Sequence, residues 1–196
     1  MRITGGKARS IPISCPKGSD VRPATDRMRE AVFSSLGDLV VAASFLDLFA
    51  GAGTYGLEAV SRGATRGVFV EQNRAAVQCI RHNLEMVTKS VGLDVRHAEY
   101  SIQSMDVFKW LVGKTVGQVH ENFRIVFIDP PYREVDSKSD TLLRGLIPLL
   151  YGDAEGSYVV FEVPHVLEVL PAGYECIRTF GKGREDTRCM LLRWHS

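Results

Sequence analysis

The chain has 196 residues, of which 45% are hydrophobic and 24% charged, and its net charge is +1. This size and composition indicate one globular domain with a full core. No apolar run approaches the ~20 residues that span a bilayer, and the N-terminus lacks the apolar core of a signal peptide, so we expect a cytoplasmic protein without a membrane segment. The four cysteines are scattered without a C-x-x-C pair, which favours reduced thiols over a disulfide framework or a metal site.

The charged residues are distributed unevenly along the chain. Residues 1–35 hold seven Lys/Arg against three acids, residues 178–196 hold five against two, and residues 36–177 hold twelve against eighteen. Basic ends suit contact with an anionic polymer such as a nucleic acid. An ordinary solvated surface explains them equally well.

The first 22 residues are predicted to form a hairpin appendage on a main domain of residues 23–196. Isoleucines on either side of Gly5-Gly6 suggest two short strands joined by a glycine turn. Lys7 and Arg9 in this piece are candidate RNA-binding residues.

A helix is predicted to begin after Thr25 or Asp26, either of which can cap it. Its apolar positions recur at helical spacing and are Met28, Ala31, Val32 and Leu36. The arginines at its start, Arg22, Arg27 and Arg29, either solvate the helix end or belong to a polar segment that folds over a cofactor.

From Ser44 the pattern is strand, glycine turn and helix. Gly51, Gly53 and Gly56 spell G-x-G-x-x-G in this context, where glycines allow a tight turn and close approach of a ligand to a helix N-terminus. The next strand, R-G-V-F-V-E, ends in Glu71, and an acid at that place can accept both hydroxyls of a ribose. The pair of motifs predicts a cofactor that contains adenosine.

Asp47 decides between two such cofactors. It lies four residues before Gly51, and its negative charge would repel the pyrophosphate of NAD but suit a cationic ligand without phosphate. S-adenosylmethionine (SAM), which carries an amino group and a sulfonium, fits this requirement.

The middle of the chain continues the strand–helix alternation. One helix carries an apolar stripe, and L-D-V-R-H after it is interpreted as the third strand. An acid in the following stretch could reach the adenine edge, and Asp106 is preferred to Glu99 because it precedes the apolar V-F-K-W-L turn. The stripe consists of Val77, Ile80, Leu84 and Val87.

The remaining elements follow the apolar run at 125–128, which predicts a strand buried on both faces. The polar stretch R-E-V-D-S-K-S-D is interpreted as mobile, and a leucine-rich helix and a fifth strand come next. The last 25 residues predict two strands that form an antiparallel edge on a parallel sheet. Lys182 and Arg184 at the tip between them either contact a phosphate backbone or lie in a solvated turn.

The tetrad Asp129-Pro130-Pro131-Tyr132 is the predicted catalytic site. Proline ends the strand here, and ligands bind at the carboxyl ends of strands in open α/β sheets. A carboxylate and a proline carbonyl that accept the two N–H groups of an exocyclic amine would direct its lone pair toward a methyl donor. Tyr132 can stack on a base taken out of its helix.

These motifs resemble the RsmD family, bacterial N2-guanine methyltransferases of small-subunit ribosomal RNA. D-P-P-Y resembles the [D/N]-P-P-[Y/F] signature of amino-methyltransferases, and R-I-T-G-G-K-A-R, R-P-A-T-D-R-M-R-E-A-V-F and D-L-F-A-G-A-G-T-Y-G-L-E-A-V-S-R-G-A extend the match over nearly the full length. The resemblance implies an α/β, Rossmann-like methyltransferase fold with a seven-stranded, mostly parallel sheet. It also implies 16S ribosomal RNA, in an assembling or assembled small subunit, as the partner of a monomeric enzyme.

The resemblance also implies roles for individual residues. Glu71 holds the ribose, Arg22 and Thr25 belong to a block that closes over the cofactor, and the tetrad holds the guanine. The residues expected to line SAM at the glycine loop are Asp47, Phe49, Ala50, Gly51 and Gly53.

Three alternatives remain open at this stage. An adenine-N6 methyltransferase of DNA or RNA shares the D-P-P-Y motif, although DNA enzymes usually carry a target-recognition domain for which this chain has no room. An NAD(P)-binding oxidoreductase could use the same glycine loop. A non-catalytic RNA-binding or assembly module could keep the fold without the reaction.

Overall fold

The computed structural model describes residues 1–16, 26–93, 99–116, 122–181 and 188–196, without the side chains of 114–116, 132 and 136. The strands are β1 (Ser44–Leu48), β2 (Arg66–Val70), β3 (Glu99–Gln103), β4 (Ile125–Ile128), β5 (Ser157–Val163), β6 (Tyr174–Phe180) and β7 (Arg188–Trp194). They form one sheet in the order β3-β2-β1-β4-β5-β7-β6. Only β7 runs against its neighbours. The predicted seven-stranded, mostly parallel fold with an antiparallel C-terminal strand is confirmed.

The helices cover both faces of this sheet. They are α1 (Asp26–Leu36), α2 (Thr54–Ser61), α3 (Arg74–Val91), α4 (Val107–Val116) and α5 (Tyr132–Leu146), with short 3₁₀ turns at Gly37–Val40 and Ile147–Leu149. Apolar residues of α1, α2 and α3 join one core, and those of α4 and α5 join the core on the other face. The central strands are therefore buried on both faces, as their continuous apolar runs predict.

The order of the strands reverses between β1 and β4. The chain passes from β1 through α2 to β2 on one side, whereas β4 pairs with the other edge of β1. Such a reversal is where open α/β sheets bind ligands, outside the carboxyl ends of the strands. The glycine loop follows β1 and Asp129 follows β4, so both lie at this reversal.

The prediction of the third strand falls mostly on residues that the structure does not describe. The described strand β3 spans Glu99–Gln103 and pairs with β2, whereas the predicted L-D-V-R-H begins at Leu93, and its other residues lie outside the described part of the chain. β3 is an edge strand whose residues are half-buried or exposed. It therefore lacks the apolar run that identifies the central strands.

The polar stretch predicted to be mobile is helical instead, because α5 spans Tyr132–Leu146. Val135 is fully buried and lies on the same stripe as Leu142, Leu143 and Leu146. Ion pairs four residues apart, Glu134–Lys138 and Asp140–Arg144, support its outer face.

The predicted N-terminal strands are reduced to one antiparallel bridge between Arg2 and Pro12. The backbone bonds instead to α2: the Thr4 and Gly5 amides donate to Glu58 (2.9 and 2.8 Å), and the Ala8 amide donates to Ser61 Oγ (2.9 Å). The segment thus packs on the sheet domain, while the domain boundary after residue 22 remains a prediction and falls among residues that the structure does not describe.

Candidate active site

The carboxyl ends of β1, β2 and β4 bring the two predicted motifs to one edge. Leu48, Val70 and Ile128 are level in the parallel register. The residues that follow them are Phe49 at the start of the glycine loop, Glu71, and Asp129. The structure therefore brings together the loop, the proposed ribose acid and the proposed catalytic carboxylate.

The first two glycines of the loop have the left-handed backbone that favours this residue. Gly51 has φ 55° and Gly53 has φ 82°. A Cβ built at Gly51 would meet no atom within 4 Å, so this side of the loop faces open space that a ligand can fill. Phe49 also has a positive φ, 57°, a strained conformation for a bulky residue of the kind that collects at ligand sites.

Gly56 serves packing rather than the ligand. A Cβ there would lie 2.3 Å from the Phe69 ring and 2.7 Å from the Phe45 ring. The absence of a side chain lets α2 approach the sheet closely, which is the structural use of the third glycine in this motif.

Glu71 is held by backbone amides on both of its oxygens. The Gly51 amide donates to Oε2 (2.8 Å) and the Asn73 amide donates to Oε1 (2.7 Å). Asn73 in turn caps α3 by accepting from the Ala75 and Ala76 amides. The acid and the glycine loop thus form one hydrogen-bonded unit.

Asp47 lies beneath the loop and is only 2% exposed. Its Oδ2 accepts a hydrogen bond from the Gly56 amide (2.9 Å). Burial raises the pKa of Asp47 to about 8, against the opposing effect of the Gly56 hydrogen bond. Because this pKa is raised, the charge of Asp47 is a weaker argument against a pyrophosphate than the sequence suggested. Direct contact between Asp47 and a cofactor remains a prediction.

Asp129 and the prolines shape the catalytic edge. The Asp129 amide donates to Leu48 O (3.4 Å), which ties the end of β4 to β1. Pro130 is buried, and the Pro131 carbonyl accepts a hydrogen bond from the Glu134 amide (2.8 Å) in the first turn of α5. The Pro131 carbonyl is therefore engaged, which leaves the Pro130 carbonyl as the candidate acceptor for a target amine; this role remains a prediction. The backbone of Tyr132 begins α5, but its side chain is outside the described part of the structure.

Burial raises the pKa of the Asp129 carboxyl group well above its usual range, and the charges of Glu162 and Asp47 add to this shift. Burial and the two neighbouring acids therefore act in the same direction on Asp129. Perturbed carboxyl groups of this kind are typical of functional sites.

Two residues that the sequence analysis missed lie next to Asp129. Glu162, in β5, is 1% exposed, and the Tyr55 hydroxyl donates a hydrogen bond to its Oε1 (2.7 Å). The two residues are 107 positions apart, so no local pattern links them. The available signal was the acid inside the apolar run V-V-F-E-V, because a carboxylate in a buried strand needs a partner.

The comparison with protein families agrees with this geometry. The family model described as conserved hypothetical protein 95 matches residues 1–185. A relative from Escherichia coli strain K12, "Ribosomal RNA small subunit methyltransferase D", is 34% identical over 183 residues, which are 91% of this chain and 83% of the relative. The chain belongs to the RsmD family.

Solved structures extend this assignment to the fold. The Escherichia coli protein yhhF superposes with a TM-score of 0.80 at 28% identity, over 100% of this chain and 98% of that one. The Thermus protein TTHA0928 has a TM-score of 0.69 at 30% identity, over 97% and 98% of the two chains. SMU.776, solved in complex with SAH, shares the fold alone, with a TM-score of 0.65 at 14% identity over 88% of this chain and 50% of that one.

In this RsmD-family chain the two candidates for the adenine contact lie at opposite ends of strand β3. Glu99 opens β3 level with Arg66, the first residue of β2, and so lies at the amino edge. Asp106 follows the carboxyl end of β3, and its Oδ1 accepts a hydrogen bond from the Lys109 amide (3.0 Å) at the start of α4. The geometry favours Asp106. The neighbouring Phe108 ring packs edge-on against Phe49 (6.1 Å between centroids).

Of the residues predicted to bind RNA or to close over the cofactor, only Lys7 and Arg9 are described, and they lie away from this site. The Lys7 amide donates to Ser61 O at the last residue of α2, the end that points away from the glycine loop, and the exposed Arg9 is two residues further on. Arg22, Thr25, Lys182 and Arg184 lie outside the described residues, so their roles remain predictions.

Arg29 lies inside the protein, and not at the solvated helix end that was one of the two predicted positions for it. It is 1% exposed, and its guanidinium donates to Arg2 O and to Asp26 Oδ1, both at 2.8 Å. Phe33 is buried beside it, while Ala31 is exposed. The apolar stripe of α1 is therefore rotated from the predicted one.

Among the described residues, no group of His, Cys, Asp or Glu side chains is arranged to hold a metal ion. In the same part of the chain, no helix has the length and apolar character needed to cross a membrane.

Proposed function

We propose that this protein transfers a methyl group from S-adenosylmethionine to the exocyclic N2 amine of a guanine in 16S ribosomal RNA. The observation that carries the proposal is the position of Asp129 and Pro130 beside the Glu71–Gly51 unit, at the reversal of the sheet. The name of the Escherichia coli relative, a small-subunit ribosomal RNA methyltransferase, supports the class of substrate.

The residues at the edge fit the methyl donor. Gly51 leaves open space above the loop, and Glu71 offers a carboxylate of the kind that accepts ribose hydroxyls. When bound, SAM would supply an electrophilic methyl group on a sulfonium, with S-adenosylhomocysteine (SAH) as the leaving group. The amine loses one proton during or after the transfer, and Asp129 acts as an orienting acceptor and not as a strong base. The SAH complex of SMU.776, a protein of the same fold, supports this cofactor.

The chain activates the amine by orienting it. An exocyclic amine is a poor nucleophile because its lone pair is delocalised into the ring. Asp129 accepts one N–H and the Pro130 carbonyl accepts the other, so the lone pair is directed out of the ring plane toward the methyl donor. Tyr132 is proposed to stack on the flipped base.

An ionised carboxylate at Asp129 favours guanine over adenine. Guanine presents N1–H beside its N2 amine, so a carboxylate can accept two parallel hydrogen bonds. Adenine presents the N1 lone pair beside its N6 amine, and this acceptor would repel the second carboxylate oxygen. The choice of guanine therefore depends on the charge of Asp129.

The test is methyl transfer from labelled SAM to small ribosomal subunits that lack base methylation, followed by mapping of the label. We expect label in N2-methylguanine of the 16S RNA. Comparison of naked RNA, assembling particles and complete subunits identifies the substrate, and light scattering tests the proposed monomer. Label in adenine or in ribosomal protein would reject the proposal.

A further inference from the structure

Three carboxyl groups approach each other on one face of the sheet. Asp47, Asp129 and Glu162 each come two residues after a core residue of this face. These core residues are Phe45 in β1, Phe127 in β4 and Val160 in β5, and all three belong to the core under α1 and α2. Ile128 is level with Phe161 in the β4–β5 register, so Asp129 and Glu162 follow neighbouring positions and interact electrostatically.

The Tyr55 hydroxyl is fixed over this cluster. Its ring stacks on Phe127 (5.2 Å between centroids, 16° between planes) and lies 6.3 Å from Phe33. The hydroxyl donates to Glu162 Oε1 at 2.7 Å. Phe33 and Phe127 also pack on each other (5.6 Å between centroids), so the three rings form one cluster. A tyrosine ring packed in this way, with its hydroxyl directed at a buried carboxylate, fixes the position of that carboxylate.

The other groups that face Glu162 act on its charge in opposite directions. From α1, the Arg29 cation favours the ionised carboxylate. Cys189, opposite Glu162 in β7, stays a neutral thiol because burial raises its pKa well above the usual range. Burial raises the pKa of Glu162 to about 7 despite Tyr55 and Arg29. Asp47 adds negative charge near Asp129 from β1.

We propose that Glu162, held in place by Tyr55, is a positioning residue that sets the charge and basicity of Asp129 when the target amine binds. The proposal rests on the proposed function, in which Asp129 accepts the N–H groups of the amine. An ionised Glu162 beside Asp129 disfavours a second negative charge, so Asp129 holds its proton to higher pH and, once ionised, is a stronger acceptor.

The decisive measurement is the pH profile of kcat for methyl transfer in Glu162→Gln. This variant keeps the shape of the side chain and removes its charge. We expect the acid limb of the profile to move to lower pH by about one unit, and the rate on the plateau to fall because Asp129 is then a weaker base. KM for SAM should stay within about twofold, since Glu162 touches neither the loop nor Glu71.

Tyr55→Phe is a second, independent variant. Loss of the hydroxyl removes a hydrogen bond that favours the ionised carboxylate of Glu162. The pKa of Glu162 therefore rises, and its neutral form persists to higher pH. The acid limb should move in the same direction as in Glu162→Gln, by a smaller amount. If Glu162→Gln does not fold, this variant decides alone.

Glu58→Gln is the matched control. Glu58 is a fully buried carboxylate on the same helix as Tyr55, and it bonds to Thr4, Gly5 and Arg62 instead of the site. This change should lower thermal stability and leave the acid limb in place. An acid limb that stays at the wild-type pH in folded Glu162→Gln or Tyr55→Phe would overturn the proposal, because it would mean that the pair only supports the fold.

A readout without RNA separates this proposal from the proposed function. The Asp129 carboxyl carbon can be titrated by ¹³C NMR in the free protein, with Asp129→Asn to assign its signal. A lower pKa of Asp129 in Glu162→Gln supports the coupling even if no guanine is methylated, which would reject the function alone. An unchanged titration would reject the coupling even if methyl transfer to guanine is observed.

Discussion

Asp129 is the residue on which the proposed chemistry depends most. Asp129→Asn keeps the shape and one acceptor oxygen but removes the charge that is proposed to orient the amine. We expect kcat to fall about 100-fold or more, the scale of loss when one directed electrostatic contact is removed from an active site. Affinity for SAH, measured by calorimetry, should stay within about twofold because the cofactor residues are untouched.

Asp153→Asn is the control for this change. Asp153 is an exposed residue that forms an ion pair with Arg124 (2.7 Å) before β5, at the amino edge of the sheet and away from the candidate site. Its activity should match that of the unmodified protein. Asp129→Asn with a rate close to wild type would contradict the proposed role of the carboxylate.

The buried acids also predict how the stability of the ligand-free protein depends on pH. Burial raises the pKa of Asp47 from 3.8 to about 8 and that of Glu162 from 4.5 to about 7. The folded state therefore holds protons that the unfolded chain releases, so these groups lower stability as pH rises from about 4 to 8.

Thermal unfolding of Asp47→Asn tests this statement. The amide oxygen can still accept the Gly56 N–H, but it does not titrate. We expect the melting temperature of the variant, relative to wild type, to be higher at pH 8 than at pH 5. The reverse order, or no dependence of this difference on pH, would show that Asp47 does not hold a proton in the folded state.

At the scale of elements, different glycines of the loop are expected to serve packing and ligand binding. Gly56→Ala would place a methyl group against the rings of Phe45 and Phe69 under α2, which should cost about 1–3 kcal/mol of stability. Gly51→Ala meets no atom within 4 Å, so only the strain of its positive φ opposes folding, about 1 kcal/mol. Its methyl group would, however, occupy the space assigned to the cofactor.

The two alanine variants should therefore fail in different ways. Chemical denaturation should find Gly56→Ala the less stable of the two, while calorimetry with SAH should find the larger loss of affinity in Gly51→Ala. Equal affinity losses in both variants would contradict the division of roles within the loop.

The elements also show where sequence patterns suffice. Strands β1, β2, β4 and β5 were predicted because burial on both faces requires apolar runs. β3 was not predicted over Glu99–Gln103 because E-Y-S-I-Q lies at the edge of the sheet and mixes polar with apolar residues. The first half of α5 was missed because, among its described side chains before Leu142, only Val135 is buried in the core.

For the candidate site, the sequence predicted the residues at strand ends but not the contacts beneath them. Glu71 and Asp129 follow their strands as expected. The hydrogen bond from Tyr55 to Glu162 joins α2 to β5, and the burial of Arg29 depends on the N-terminal segment that packs over α1. Contacts of this kind depend on how distant elements pack together, and the spacing of apolar residues within one element does not predict them.

For the molecule as a whole, Glu58 in α2 is the residue that hydrogen-bonds the N-terminal segment, at Thr4 and Gly5, to the sheet domain. Its carboxylate accepts hydrogen bonds from Thr4 and Gly5 and pairs with Arg62 (2.9 Å). Glu58→Ala would leave Arg62 and two backbone amides without this partner, so we expect a loss of about 3 kcal/mol. Native-state hydrogen exchange should show faster exchange at the Thr4 and Gly5 amides; unchanged protection there would contradict this role.

The hydrogen bonds of Glu71 have a consequence for the thermodynamics of ligand binding. Both carboxylate oxygens are already held by backbone amides of Gly51 and Asn73. In the proposed function, a ribose would meet a side chain whose rotamer freedom was lost when the protein folded. Binding would not have to immobilise a free glutamate, which would cost about 0.5–1.5 kcal/mol. The acid is preorganised, so its contribution to affinity should come with little loss of side-chain entropy on binding.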